Sequence, residues 1–143
     1  MRMQARGAFL SWRKVIMSVP LYLKYTKDHY WIRQEGNQAI IGLTETGLIE
    51  MGMVLFIELP ERDAVMRRGD YISSVETAQS EHDLFAPLSG KVTAVNLLLE
   101  RAAMILHESP YDKGWLFAME WSDESEFAHL WDVQTYEQQF PLD

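Results

Sequence analysis

The sequence predicts a mainly β domain, a small barrel or sandwich trimmed by short helices and closed by a C-terminal helix. Three observations carry this expectation. Short β-prone runs recur along the chain, turns rich in glycine, proline or asparagine separate them, and helical spacing of apolar residues returns only near the end. With 143 residues, 48% of them hydrophobic and 24% charged, the chain suits one globular domain with a real core. There is no tandem repeat and no low-complexity tract.

Each element has a local reason. Tyr30-Trp31-Ile32-Arg33 is β-prone and ends at the turn cluster Glu35-Gly36-Asn37, and Gln38 to Leu43 resumes as a second strand, so a hairpin is expected. Thr44 is placed to cap a short helix, because its hydroxyl can accept from the unpaired amides of a first turn, and Gly52 is placed to stop it. Val54 to Leu59, closed by Pro60, is apolar at nearly every position and reads as a strand buried on both faces. Glu61 to Asp70 is a charged connection ending in Gly69-Asp70. Tyr71–Val75 and Leu84–Ala86 then flank the hairpin tip ETAQSEHD, Ser89-Gly90 turns the chain, and Lys91–Val95 returns as a strand. Ser109 to Gly114 is a loop and Trp115 to Trp121 the last strand. Asp123 and Glu126 have the spacing of an acidic capping box, with Phe127, Leu130 and Trp131 following on one helical face. Asp132 is placed to cap a final helix running towards Gln139.

Composition narrows the function classes. The chain has no cysteine, which removes disulfides, thiolate metal sites and cysteine nucleophiles and fits a reducing compartment. Net charge is −8, unevenly spread: residues 1–20 hold Arg2, Arg6, Arg13 and Lys14 and no acid, leaving nine basic against 21 acidic residues in 21–143. So acidic a body repels phosphate backbones, and nucleic acid is not an expected partner. No apolar run has the length of a membrane span, and no secretory signal fits. A cytoplasmic location is expected. Residues 1–20 read as a basic extension, disordered or preceding a true start at Met17, in preference to an Arg-rich transit segment. Residues 21–143 form the domain.

Several ordered stretches carry a resemblance. They are Tyr25-Thr26-Lys27-Asp28-His29-Tyr30-Trp31, Ile41-Gly42-Leu43-Thr44, Val54 to Pro60, Gly69-Asp70, Ala86-Pro87-Leu88-Ser89-Gly90-Lys91-Val92, Val95-Asn96, Pro110-Tyr111-Asp112-Lys113-Gly114-Trp115-Leu116 and Tyr136. In this order and spacing they resemble the H-protein of the glycine cleavage system, over Tyr25 to Tyr136. The resemblance implies a flattened barrel-sandwich hybrid of the lipoyl-domain type with flanking helices. It implies a carrier rather than an enzyme, whose lipoyl arm, tethered to a lysine at a hairpin tip, moves an aminomethyl group between glycine cleavage enzymes.

At the tip the sequence departs from the family pattern Glu-Ser-Val/Thr-Lys-Ala. Counted back from Ala86-Pro87, Asp83 falls on the family's aspartate, Glu76 on its glutamate and Gln79 on its lysine. Attachment needs an amine lone pair, and the carboxamide nitrogen of Gln79 has its lone pair delocalised into the carbonyl. In the motif His-Glu-Trp, whose glutamate is implicated in holding the amine of the loaded arm, Tyr30 stands between His29 and Trp31. A phenol offers that amine a weaker hydrogen bond than a carboxylate does. Asp28, His29 and Tyr30 are therefore the arm-cleft positions, Gln79 the lost attachment position, and Glu76 and Asp83 the retained hairpin-recognition residues. Arg62-Asp63 and His107 are smaller departures with no assigned role.

Blander readings are preferred elsewhere. Glu76, Glu81, His82 and Asp83 read as solvated charges, not metal ligands. His29 reads as a packed, hydrogen-bonded histidine in preference to a general base. Asp123, Glu124 and Glu126 suit a helix N-terminus. Trp31, Trp115 and Trp131 fit core positions, leaving Trp12 and Trp121 undecided. No Ser-His-Asp order or nucleotide fingerprint stands out. The expected function is a non-lipoylated H-protein-like binding or adaptor module, without bound cofactor, monomeric, and partnered by glycine cleavage or lipoate-handling enzymes. The competing expectation is a working lipoyl and aminomethyl carrier of the glycine cleavage system, modified at a non-standard site or through a partner protein.

Overall fold

The structure, a computed structural model, describes Pro20 and residues 22–141. The expectations for residues 1–19, Trp12 included, lie outside the described residues. Among the described residues nine strands form two antiparallel sheets. The larger runs β1 (Lys24–Tyr25), β2 (Tyr30–Glu35), β3 (Gln38–Leu43), β9 (Phe117–Trp121), β8 (Gly90–Val95), β5 (Val65–Met66), in that spatial order. The smaller runs β4 (Val54–Ile57), β6 (Tyr71–Thr77), β7 (Glu81–Phe85). Among the described residues no barrel closes, and the two sheets make a flattened barrel-sandwich with few helices, as the sequence predicts.

Residues that alternate along the strands fill the space between the sheets. Ile32, Ile41, Leu43, Val92, Phe117 and Met119 from the large sheet share one core with Val75 and Leu84 from the small one. Burying such a side chain contributes about 1.5–3 kcal/mol. A second cluster lies apart from it, where Leu23, Tyr25, Trp31 and Tyr136 pack together. Tyr25 and Tyr136 stack with ring centroids 4.8 Å apart, and the Trp31 indole N–H donates to the Pro110 carbonyl at 2.9 Å. Trp115 and Trp131 are half-buried against this cluster, while Trp121 joins the main core and meets Phe127 edge-on.

Two of the helices are capped as the sequence predicts. The first described helix, α1 (Glu45–Met51), begins where Thr44 Oγ1 accepts from the Gly47 amide and ends at Gly52, whose φ is +94°. A 3-10 turn (Leu97–Glu100) and α2 (Ile105–Glu108) follow β8. The last helix, α3 (Val133–Gln139), begins where Asp132 accepts from the Thr135 amide.

Three expectations need correction. The strand Val54–Leu59 is not buried on both faces: β4 lies at the edge of the small sheet, and Leu55 and Phe56 are 55% and 60% exposed. The charged connection Glu61–Asp70 contains β5, paired with β8. The acidic capping box does not form. Asp123 caps a 3-10 helix (Glu124–His129) through the Ser125 amide, but the Glu126 carboxylate accepts from the Ser89 amide and hydroxyl, both at 2.7 Å.

Candidate functional site

The β6–β7 hairpin ends in a tight turn held by one side chain. Thr77 is buried, and its amide donates to the Ser80 carbonyl at 2.8 Å. Its hydroxyl donates to that same carbonyl at 3.1 Å and accepts from the Ser80 amide at 3.2 Å. Ala78 and Gln79 are thereby pushed out to form the exposed tip. No lysine lies anywhere from Tyr71 to Gly90.

Glu76 pairs across the hairpin with Glu81, and Asp83 with Ser74. All three acids are exposed, and strand alternation puts them on the outer face, opposite buried Val75 and Leu84. The Ser74 hydroxyl donates to Glu81 at 3.1 Å, and His82 turns to the Ser80 hydroxyl at 3.0 Å. Among the described residues no three His, Asp or Glu side chains gather as metal ligands.

A cleft of about 440 Å³ lies where four stretches of chain meet. The turn before β2 supplies Thr26, Lys27 and Asp28, and β2 supplies Tyr30. Arg68 and Gly69 come from the turn before β6, Phe85 to Pro87 from the end of β7, and His129 to Trp131 from the chain before α3. The turn bearing Arg68 is fixed on both sides: the Arg68 amide donates to the Ser89 hydroxyl at 2.8 Å, and the Gly69 amide to the Ala86 carbonyl at 2.8 Å. Gly69 has φ +91°, a region that favours glycine.

Tyr30 is 4% exposed, and its hydroxyl accepts from the Phe85 amide at 2.8 Å. Burial pushes its phenol up to about 12, with Asp28 adding to the rise and the Phe85 amide opposing it. Tyr30 is therefore a neutral hydroxyl at physiological pH.

His29 does not face this cleft. Its ring Nδ1 lies 2.6 Å from the Tyr136 hydroxyl, its Nε2 lies 3.3 Å from Glu50, and Phe140 packs beside it. The same Tyr136 oxygen lies 2.7 Å from Thr44 Oγ1. Hydrogen bonds therefore link Thr44 through the Tyr136 hydroxyl to His29, whose other ring nitrogen faces Glu50. His29 thus ties α1 to α3, while Asp28 and Tyr30 on either side of it line the cleft.

The three notable positions that sequence reasoning missed are Arg68, His129 and Thr77. The first two lie far from Tyr30 in sequence and carry no motif signal. Thr77 had a signal, since a threonine two residues before Gln79 can bond the backbone of a turn.

Comparison with known proteins assigns the chain to a family. The family model described as Glycine cleavage H-protein matches residues 23–141. This chain belongs to that family. A glycine cleavage system H protein of Staphylococcus saprophyticus is 43% identical over 120 residues, covering 84% of this chain and 95% of the relative. That of Staphylococcus haemolyticus is 43% identical over 122 residues, covering 85% and 97%. The crystal structure of a glycine cleavage system H protein from Mycobacterium marinum superposes with a TM-score of 0.77 at 27% identity, covering 87% of this chain and all of that one. The H-protein family carries lipoate, and its members are carriers, so this chain is a carrier-protein homologue and not an enzyme.

Proposed function

We propose that this chain is an H-protein that does not carry lipoate at its hairpin and serves as a binding or adaptor module linked to glycine cleavage or lipoate metabolism. The observation that carries the reading is the tip itself: a hairpin held in shape by Thr77 presents Gln79 to solvent, and the hairpin contains no lysine. A carboxamide does not fit the attachment chemistry, because it has no free lone pair to attack an activated acyl group. Tyr30 supports the same reading, since a buried neutral phenol has no charge with which to hold an ammonium group. The exposed acids Glu76 and Asp83 leave the hairpin a face by which glycine cleavage or lipoate-handling enzymes would recognise it. Such a module works in the cytoplasm as a monomer.

A Gln79→Lys variant co-expressed with a lipoate ligase tests whether that face survives. Lipoylation of the variant, with none on the parent, is the expected result. A variant that stays bare means that the recognition face has decayed. Lipoylation of the parent on any of its lysines overturns the proposal.

A further inference from the structure

The small sheet ends in an edge that no described strand covers. Its outer strand is β4, where Phe56 is 60% exposed, and Leu97 on the neighbouring 3-10 turn is 60% exposed as well. Two hollows along this edge, of about 440 and 720 Å³, share Glu58 and Glu100 and make one trough. It runs from Glu76 and Glu81 on the hairpin to Thr93 and Val95 on β8. Five carboxylates, Glu58, Glu61, Glu76, Glu81 and Glu100, line it against one cation, Arg62. None of the five lies within ion-pair distance of a cation among the described residues. An uncovered sheet edge with exposed apolar side chains and unpaired acids suits a linear chain that is both apolar and basic. The sequence holds such a chain. Residues 1–19 carry Arg2, Arg6, Arg13 and Lys14 and no acid, with Phe9, Leu10, Trp12, Val15 and Ile16 among them. The H-protein match leaves them out, since it begins at residue 23.

We propose that residues 1–19 dock in this trough of their own chain, their basic side chains facing Glu58 and Glu100 and their apolar ones laid against Phe56 and Leu97. Charge favours this occupant: the segment is wholly basic, while residues 21–143 hold nine basic against 21 acidic residues. Length permits it. The segment joins the described chain at Pro20, whose carbonyl accepts from the Tyr25 hydroxyl. Extended, it spans up to about 65 Å, against roughly 35 Å across a domain of this size. The tether also holds it at an effective concentration of about a millimolar, an advantage that a free partner lacks. The acidic run Asp123 to Glu126 is a poorer seat, because Asp123 is spent on Ser125 and Glu126 on Ser89. The docked segment covers Glu76 and keeps basic partners off that side of the hairpin until they displace it. Neither Gln79 nor Tyr30 takes part, so the docking is independent of whether the chain carries lipoate.

The chain has no cysteine, so Ser11→Cys gives the full-length protein a single site for a nitroxide spin label. Backbone amide NMR, compared with the same sample after the label is reduced, should show signal lost at Phe56, Glu58, Val95 and Glu100. This loss comes on top of the loss near Pro20 that the tether itself causes. Glu58→Lys combined with Glu100→Lys should restore the signal, and both side chains are exposed, so circular dichroism should stay unchanged. Arg13→Glu combined with Lys14→Glu should restore it from the other side, without touching the trough. Salt at about 1 M, where the Debye length is ~3 Å, should weaken the loss. Spin-labelled chain at natural isotopic abundance, mixed with unlabelled ¹⁵N chain, should cause no loss at the trough. Loss there would seat the segment of one copy on another and overturn the proposal. No loss at the trough, loss centred elsewhere, or loss indifferent to salt or to either double variant overturns it too. So does a chain from its own cells whose intact mass begins at Met17, a result that leaves the reading of Gln79 untouched.

Discussion

Tyr136 joins three parts of the chain through one oxygen atom. Thr44, the cap of α1, lies on one side of it, and His29, on the turn into β2, on the other. Tyr136→Phe keeps the ring stack on Tyr25 but removes the atom both partners need. It is expected to cost about 1–3 kcal/mol, the range for leaving buried polar groups unpaired, read as a lower urea midpoint with an unchanged slope. His107 makes a separate prediction about pH. Its Nε2 accepts from the Val54 amide at 3.0 Å, which requires the neutral ring, and burial holds its pKa below the usual histidine value. Below the unfolded value of about 6.5 the unfolded chain binds more protons than the folded one, so stability falls as pH drops through that point. The thermal midpoint should therefore drop more between pH 7.5 and 5.5 in the parent than in His107→Gln. Equal drops would remove His107 from the account.

At the scale of elements, the β6–β7 hairpin depends on Thr77. Thr77→Val keeps the shape of the side chain and deletes its bonds to Ser80, at a cost of about 1 kcal/mol, and the Ser80 amide should exchange with solvent faster. In the larger sheet Gly42 sits opposite Trp31, and a Cβ there would lie 2.1 Å from the indole. Gly42→Ala is expected to push Trp31 off the Pro110 carbonyl, with a loss at the upper end of the ~1–3 kcal/mol typical of overpacking and a red shift in tryptophan fluorescence. Elements with local causes were legible in the sequence. The Gln38–Leu43 strand, the Thr44 and Asp132 caps and the Gly52 stop all depend on residues within one turn of each other. The exposure of Leu55 and Phe56 was not legible, because an apolar run does not say whether another layer covers it. Glu126 was equally opaque. Its spacing fits a capping box, but a serine 37 positions earlier in the chain takes the carboxylate instead. The hairpin tip could be read by counting along one segment, while the cleft, assembled from four segments, could not.

For the molecule as a whole, the fold is that of the H-protein family, and the proposal is that the chemistry of carrying is missing from its usual place. Two sheets and a braced hairpin are present, with Gln79 at the exposed tip and a neutral Tyr30 lining the cleft. The net charge of −8 disfavours anionic polymers as partners of the chain. The remaining lysines of the described region, Lys24, Lys27, Lys91 and Lys113, lie away from the hairpin tip in sequence. The most direct test is the intact mass of the chain isolated from its own cells grown with lipoate. The account predicts the mass of the unmodified polypeptide, and a chain heavier by one amide-linked lipoyl group would contradict it.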